Sequence, residues 1–264
     1  MAEVVYPPVI AACKTAFRAL DLRIEVVGAE NVPRSGGAVL AGNHIGYLDF
    51  IFCGLGADPA GRLVRFMAKQ EVFHHPVAGP LMRGMHHIPV DRSAGAASFR
   101  AAVQALRDGE VVGVFPEATI SRSFELKEFK TGAARMARAA GVPLVPVVVW
   151  GTQRLLTKGR SPRMKRRGTP ISISVGEPLV LDRGADPEEA TAELKRRMEV
   201  LLHAAQERYP DRPRGPEDSW WLPARLGGTA PTPAEAAGLD ARARPSGGGP
   251  GRDADGPPGT APAE

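Results

Sequence analysis

The sequence predicts an α/β fold, a mixed and mostly parallel sheet flanked by helices on both faces. Three observations carry this expectation. Short runs rich in Val and Ile recur along the chain at strand length. Amphipathic stretches of helical period alternate with them, and Gly, Pro or Asp-Gly punctuates the junctions. Strands alternating with helices, rather than strands following strands, argue for a sheet covered on both sides.

In chain order, residues 8–20 read as a short helix, with Ile10, Cys13, Phe17 and Leu20 recurring at three- and four-residue steps. This N-terminal amphipathic helix, assigned to residues 1–22, can dock on the domain or lie in a membrane interface. Residues 23–28 form a first strand and residues 37–41 a buried second one, followed by an apolar helix over 45–55. Residues 64–68 are a strand ending at Lys69, and 71–85 are helical in two pieces split by Pro76 and Pro80. A strand at 87–90, an amphipathic helix at 94–107 and a strand at 111–115 come next. A helix at 131–140 closed by Gly141 then leads to a strand at 144–150. Residues 171–175 alternate Ile, Ser, Ile, Ser, Val, the pattern of a half-exposed edge strand. The last helix is expected over 187–208, with Asp186 as cap, Pro187 in the first position and Glu189 completing a capping box.

Beyond Tyr209 about four residues in ten are Pro or Gly and bulky apolar residues are few. Such a segment cannot offset its ordering entropy, so residues 210–264 are expected to be a disordered tail behind a domain spanning 23–209. Trp220-Trp221-Leu222 is the exception, able to dock on the domain or on a bilayer.

Composition bounds the function. The net charge of +5 divides into about −2 for residues 210–264 and about +7 for the rest. A basic body suits a phosphate-bearing ligand or an anionic membrane surface. No apolar run approaches the ~18 residues of a membrane span, and the N-terminus lacks a basic-then-apolar leader. Cys13 and Cys53 sit among apolar residues, as buried thiols do in a cytoplasmic protein. His74-His75 and His86-His87 lack the spacing and companion ligands of a metal site, so no metal is expected. Seven Arg and Lys residues and no acid fall within 154–167, a run suited to anionic headgroups or to the phosphates of coenzyme A. Nucleic acid is disfavoured, because only Trp150 is near that run to serve as a stacking platform.

The chemistry concentrates at Gly42-Asn43-His44-Ile45-Gly46-Tyr47-Leu48-Asp49, between the second strand and its helix. A carboxylate at Asp49 can fold back onto the His44 ring, fix its tautomer and leave the other nitrogen to take a proton. Three more blocks follow: Ile88-Pro89-Val90-Asp91-Arg92 after Gly84, then Phe115-Pro116-Glu117-Ala118-Thr119, then Val145-Pro146-Val147. These four blocks, in this order, resemble the glycerolipid acyltransferase family over residues 26–175.

The resemblance implies transfer of a fatty acyl chain from acyl-coenzyme A or acyl carrier protein to the 2-hydroxyl of 1-acyl-glycerol-3-phosphate. The product would be phosphatidic acid, and no cofactor is needed. It gives His44 the role of general base and Asp49 that of orienting it. A phosphate-bearing acceptor needs fixed cations, for which Arg92 and Lys69 are the first candidates. Glu117 and Thr119 belong to the acceptor side. The family form Phe-Pro-Glu-Gly-Thr-Arg-Ser is altered here, with Ala118 for Gly and Ile120 for Arg. Arg122 or Lys130 would have to replace the lost guanidinium, and glycerol-3-phosphate or another lyso-lipid stands as an alternative acceptor. A lipid-binding protein that kept the fold without turnover is the rival from another class. The expected setting is the cytoplasmic face of the cell membrane, as a peripheral enzyme meeting its lysophospholipid at the surface.

Overall fold

A computed structural model describes residues 3–91, 95–164 and 166–243. The chain opens with helix α1 (Tyr6–Ala19), strand β1 (Arg23–Val27), strand β2 (Ala38–Gly42) and helix α2 (Asp49–Ala57). Strand β3 (Val64–Lys69), the short helices α3 (Gln70–His74) and α4 (Ala78–Gly84) and strand β4 (Ile88–Val90) follow. Next come helix α5 (Gly95–Arg107), strand β5 (Val111–Val114), helix α6 (Gly132–Ala140), strand β6 (Leu144–Trp150) and strand β7 (Pro170–Val175). Helices α7 (Pro187–Arg208) and α8 (Pro233–Arg242) complete the described elements.

The seven strands form one sheet in the order β1-β7-β6-β2-β5-β3-β4. Strands β6, β2, β5, β3 and β4 run parallel, β7 is antiparallel to β6, and β1 runs parallel to β7. Strand β2 lies at the centre, Val39 beside Val112 on one flank and Leu144 on the other. Period-two alternation sorts its side chains between two cores. Val39 and Ala41 join Leu106, Met136, Leu194, Met198 and Leu202 beneath α5, α6 and α7. Ala38 and Leu40 join Phe17, Phe52, Val147 and Ile173 beneath α1 and α2. A parallel sheet buried on both faces reads as continuous apolar runs, as β2, β5 and β6 do.

Helix α1 docks on the second of these cores. Phe17 stacks on Phe52 with ring centroids 4.8 Å apart, and the Tyr6 hydroxyl donates to the Val64 carbonyl at 2.7 Å. At the far end, Asp186 caps α7 by accepting from the Glu188 amide at 3.0 Å, and Pro187 occupies the first turn.

Three expectations are corrected. Strand β7 is not an edge: β1 covers it, α7 packs on its serine face, and Ser174 is buried. Serine is small enough to lie under a helix, so the alternation marks two different covers rather than water on one side. Helix α2 begins at Asp49, four residues later than the apolar pattern suggested, because the preceding residues form a loop held by side chains of the site.

The third correction concerns the tail. Residues 210–243 fold back on the domain, so the folded unit does not end at 209. Tyr209, Trp220 and Trp221 are buried, and the Tyr209 hydroxyl donates to the Pro170 carbonyl at 2.7 Å. The Arg154 guanidinium lies 4.3 Å from the Trp221 ring centroid. Large aromatic anchors supply burial that the average composition conceals, and prolines reduce the freedom the segment has to lose. Helix α8 carries a full capping box between Thr232 and Glu235 with Pro233 next to the cap. Residues 244–264, also expected to be disordered, lie outside the described residues.

Candidate active site

The parallel strands deliver the separate sequence blocks to one edge of the sheet. His44 follows β2, Lys69 ends β3, Asp91 follows β4, Phe115 to Glu117 follow β5, and Thr152 follows β6. The carboxyl ends of parallel strands are where open α/β sheets place their ligands.

Asn43 fastens the loop at its root. Its amide group donates to the Val149 carbonyl at 3.0 Å and accepts from the Val149 amide at 2.7 Å, extending the β2–β6 pairing through a side chain. The chain then turns, and Gly46 passes so close to Leu156 that a Cβ there would sit 2.8 Å from its carbonyl oxygen. The turn brings His44 back against Asp49, the first residue of α2. His44 Nδ1 lies 3.0 Å from Asp49 Oδ2. The same oxygen accepts from the Ile45 and Gly46 amides at 2.6 and 2.7 Å, and Oδ1 accepts from the Thr152 hydroxyl.

Asp49 is fully buried, whereas the His44 side chain is 20% exposed. The carboxylate therefore fixes Nδ1 as the protonated nitrogen, which turns Nε2 into the basic one. Among the described residues none bonds Nε2. The imidazole also stacks on Phe115, centroids 4.3 Å apart and planes 19° from parallel, so its orientation is set by packing as well.

Glu117 is a loop clamp. One carboxylate oxygen accepts from the His44 amide at 2.8 Å and the other from the Lys127 amide at 3.1 Å. Burial drives its pKa up to about 8, against the opposing pull of those two hydrogen bonds. Both oxygens of this residue, expected on the acceptor side, are turned to backbone amides, which gives it a part in holding the loop. The Ser121 amide adds a second strut, donating to the His44 carbonyl at 2.7 Å.

The expected phosphate ligands divide. Lys69 is half-buried where β3 meets α3, at the same sheet edge as His44. Arg92 lies outside the described residues. Lys130 is exposed, and its amide donates to the Pro116 carbonyl at 3.0 Å. Arg122 Nε donates to Asp240 Oδ1 at 3.2 Å, and the Thr119 hydroxyl accepts from Lys127 Nζ at 2.7 Å. Ile120, where the family form has Arg, is buried. Ala118 has φ = 61°, the left-handed region that explains a glycine in the family form.

Thr152, Lys127 and Asp240 were not singled out from the sequence. Thr152 sits just past β6, and only the fold shows that this strand end faces α2. Lys127 lies in the same loop as Lys130 with no pattern to prefer it. Asp240 comes from the segment expected to be disordered. The basic run at 154–167 is largely engaged by that segment. Arg154 pairs with Asp211 at 2.7 Å, Arg160 and Arg163 stack on Trp220, and Arg166 lies 3.9 Å from Asp218.

Residues 23–150 match the model of the family described as Acyltransferase. A 1-acyl-sn-glycerol-3-phosphate acyltransferase of Bacillus subtilis is 33% identical over 174 residues, covering 63% of this chain and 80% of the relative. The enzyme of the same name from Borreliella burgdorferi is 31% identical over 153 residues, and this chain spans only 59% of its length. The crystal structure of the 1-acyl-sn-glycerophosphate acyltransferase PlsC from Thermotoga maritima superposes with a TM-score of 0.60 at 25% identity, covering 75% of this chain and 79% of that one. With the sheet, the ordered blocks and these relatives in agreement, the chain belongs to the acyltransferase family.

Proposed function

We propose that this acyltransferase moves a fatty acyl chain from a thioester, acyl-coenzyme A or acyl carrier protein, to the 2-hydroxyl of 1-acyl-glycerol-3-phosphate at a membrane surface. The observation that carries the reading is the His44–Asp49 pair, 3.0 Å apart at the carboxyl end of the central strand. His44 Nε2 takes the proton of the attacking hydroxyl as its oxygen bonds to the thioester carbonyl carbon. Asp49 stabilises the imidazolium that forms. Collapse of the tetrahedral intermediate breaks the carbon–sulfur bond, and the imidazolium returns the proton to the departing thiolate. Neither a covalent acyl-enzyme nor a cofactor is needed. The relatives named 1-acyl-sn-glycerol-3-phosphate acyltransferases support the acceptor.

Among the described residues no helix is long and apolar enough to cross a membrane. Exposed Val72, Val77 and Leu81 on the α3–α4 pair support peripheral contact with lipid, on the cytoplasmic face where acyl thioesters are made. Buried Ile120 in the place of the family's arginine favours a second reading, in which the acceptor is glycerol-3-phosphate or another lyso-lipid.

The test is acyl transfer by the purified protein, from one labelled acyl-coenzyme A to lysophosphatidate, glycerol-3-phosphate and phosphate-free lyso-lipids, with His44→Ala alongside. Loss of one positioned general base costs about 10²–10⁴ in rate. Product from lysophosphatidate that vanishes in the variant is the expected result. Product from another acceptor alone moves the specificity. No product from any acceptor, with acyl carrier protein also tried as donor, leaves a lipid-binding protein.

A further inference from the structure

Three cations on the loops around the His44 turn converge on one carboxylate. Arg122 Nε and Lys127 Nζ approach the two oxygens of Asp240 at 3.2 and 2.6 Å, and Lys158 Nζ stands 3.8 Å from the first. All four side chains are largely buried, with exposures of 13 to 29%. Burial opposes ionisation of Asp240, but the Lys127 hydrogen bond and the Lys127 and Lys158 charges prevail and hold its pKa below the usual range.

The cations sit on the two loops that frame the His44 turn. The Ser121 amide beside Arg122 donates to the His44 carbonyl at 2.7 Å, and the Lys127 amide shares Glu117 with the His44 amide. On the other side, Thr157 donates to the Ile45 carbonyl at 2.6 Å, and Gly159 presses against the Arg122 guanidinium. Asp240 arrives from α8, 113 residues beyond Lys127, on the end of a segment that elsewhere pairs Asp211 with Arg154 and brings Asp218 to Arg166. Two lysines and an arginine around one small anion suit a phosphate monoester better than a single carboxylate, because a dianion offers three acceptor oxygens to three cations.

We propose that the C-terminal segment is an autoinhibitory strap: Asp240 occupies the cation cluster that receives the phosphate of the acceptor, and α8 must leave before that phosphate can bind. This rests on the proposed phosphate-bearing acceptor, yet it is tested without turnover. When the binding-competent form is a minor fraction of the molecules, the apparent affinity falls by that fraction. A strap closed in about nine molecules of ten therefore weakens phosphate binding about tenfold.

The experiment is titration of the full chain with inorganic phosphate and with glycerol-3-phosphate, by calorimetry and by amide hydrogen exchange of residues 233–242. Asp240→Asn should bind both ligands about tenfold more tightly, and adding Lys127→Ala should abolish the gain. Because Asp240→Asn also removes a charge, Thr232→Ala is the companion variant. It breaks the α8 capping box, keeps every charge, and should tighten binding by up to about fivefold. In the wild type, glycerol-3-phosphate should release the protection of the α8 amides. Equal affinity in wild type and both variants, or ligand bound with α8 still protected, overturns the strap. If adenosine 3′,5′-bisphosphate releases α8 and glycerol-3-phosphate does not, the assignment to the acceptor is overturned. A strap that behaves as expected in a protein with no acyl transfer would instead sink the enzymatic reading and leave the site standing.

Discussion

Asp49 spends a carboxylate on four donors at once: two amides, a hydroxyl and the His44 ring. Asp49→Asn turns one acceptor oxygen into a donor in a site that supplies only donors. Transfer should fall by about 10²–10⁴, as the imidazole loses its fixed tautomer. Stability should fall by about 1–3 kcal/mol for the mispaired buried group, read by urea denaturation. Glu117 gives a pH signature. Its folded pKa of about 8 lies above the ordinary 4.5, so the folded state holds the proton more tightly. The stability gained is complete below the ordinary value and is lost as pH climbs to about 8. The wild type should therefore denature more easily at pH 8.5 than at pH 5 by this contribution, and Glu117→Gln should narrow the difference. Ala118 is strained at φ = 61°. Ala118→Gly should raise stability by up to about 1 kcal/mol, the left-handed penalty less the added freedom of the unfolded chain, visible as a higher Tm.

At the scale of elements, most strands and helices were legible in the sequence because their signal is local: apolar runs, helical periods, caps and glycine stops. The blocks of the site were legible in the same way, since the first three lie at or just after a strand end and the fourth, Val145-Pro146-Val147, lies within the apolar run of β6. What was not legible depended on contacts between distant segments. The serine face of β7 looked solvent-exposed until α7 covered it, and Asp49 appeared inside a helix that its own hydrogen bonds delay. The segment after Tyr209 has the average composition of a disordered chain, whereas its stability rests on two buried tryptophans, Trp220 and Trp221, and a few acids. Trp221→Ala tests this directly. Truncating a fully buried tryptophan costs about 3–5 kcal/mol, and proteolysis should then cut within 210–232 before the sheet opens.

At the scale of the whole molecule, sheet order differs sharply from chain order. The parallel block built on β2 gathers the site from five strand ends, so a rigid frame holds His44 while loops and the strap are left to vary. The antiparallel β6–β7 step then turns the last two strands of the sheet the other way. Strand β1 precedes the other described strands in the chain and, among the described residues, pairs with β7 alone, with Arg23 beside Pro170. During synthesis, then, β1 waits through almost the entire translation of the domain, and the flank of β6 stays open as an unpaired edge until residue 175 has left the ribosome. Nascent chains halted before Pro170 should be degraded readily and bound by holding chaperones. Chains halted well beyond Val175, with that strand clear of the exit tunnel, should resist protease. An enzyme assembled from the middle outward thus carries its greatest aggregation hazard in a brief interval before its first strand finds its partner.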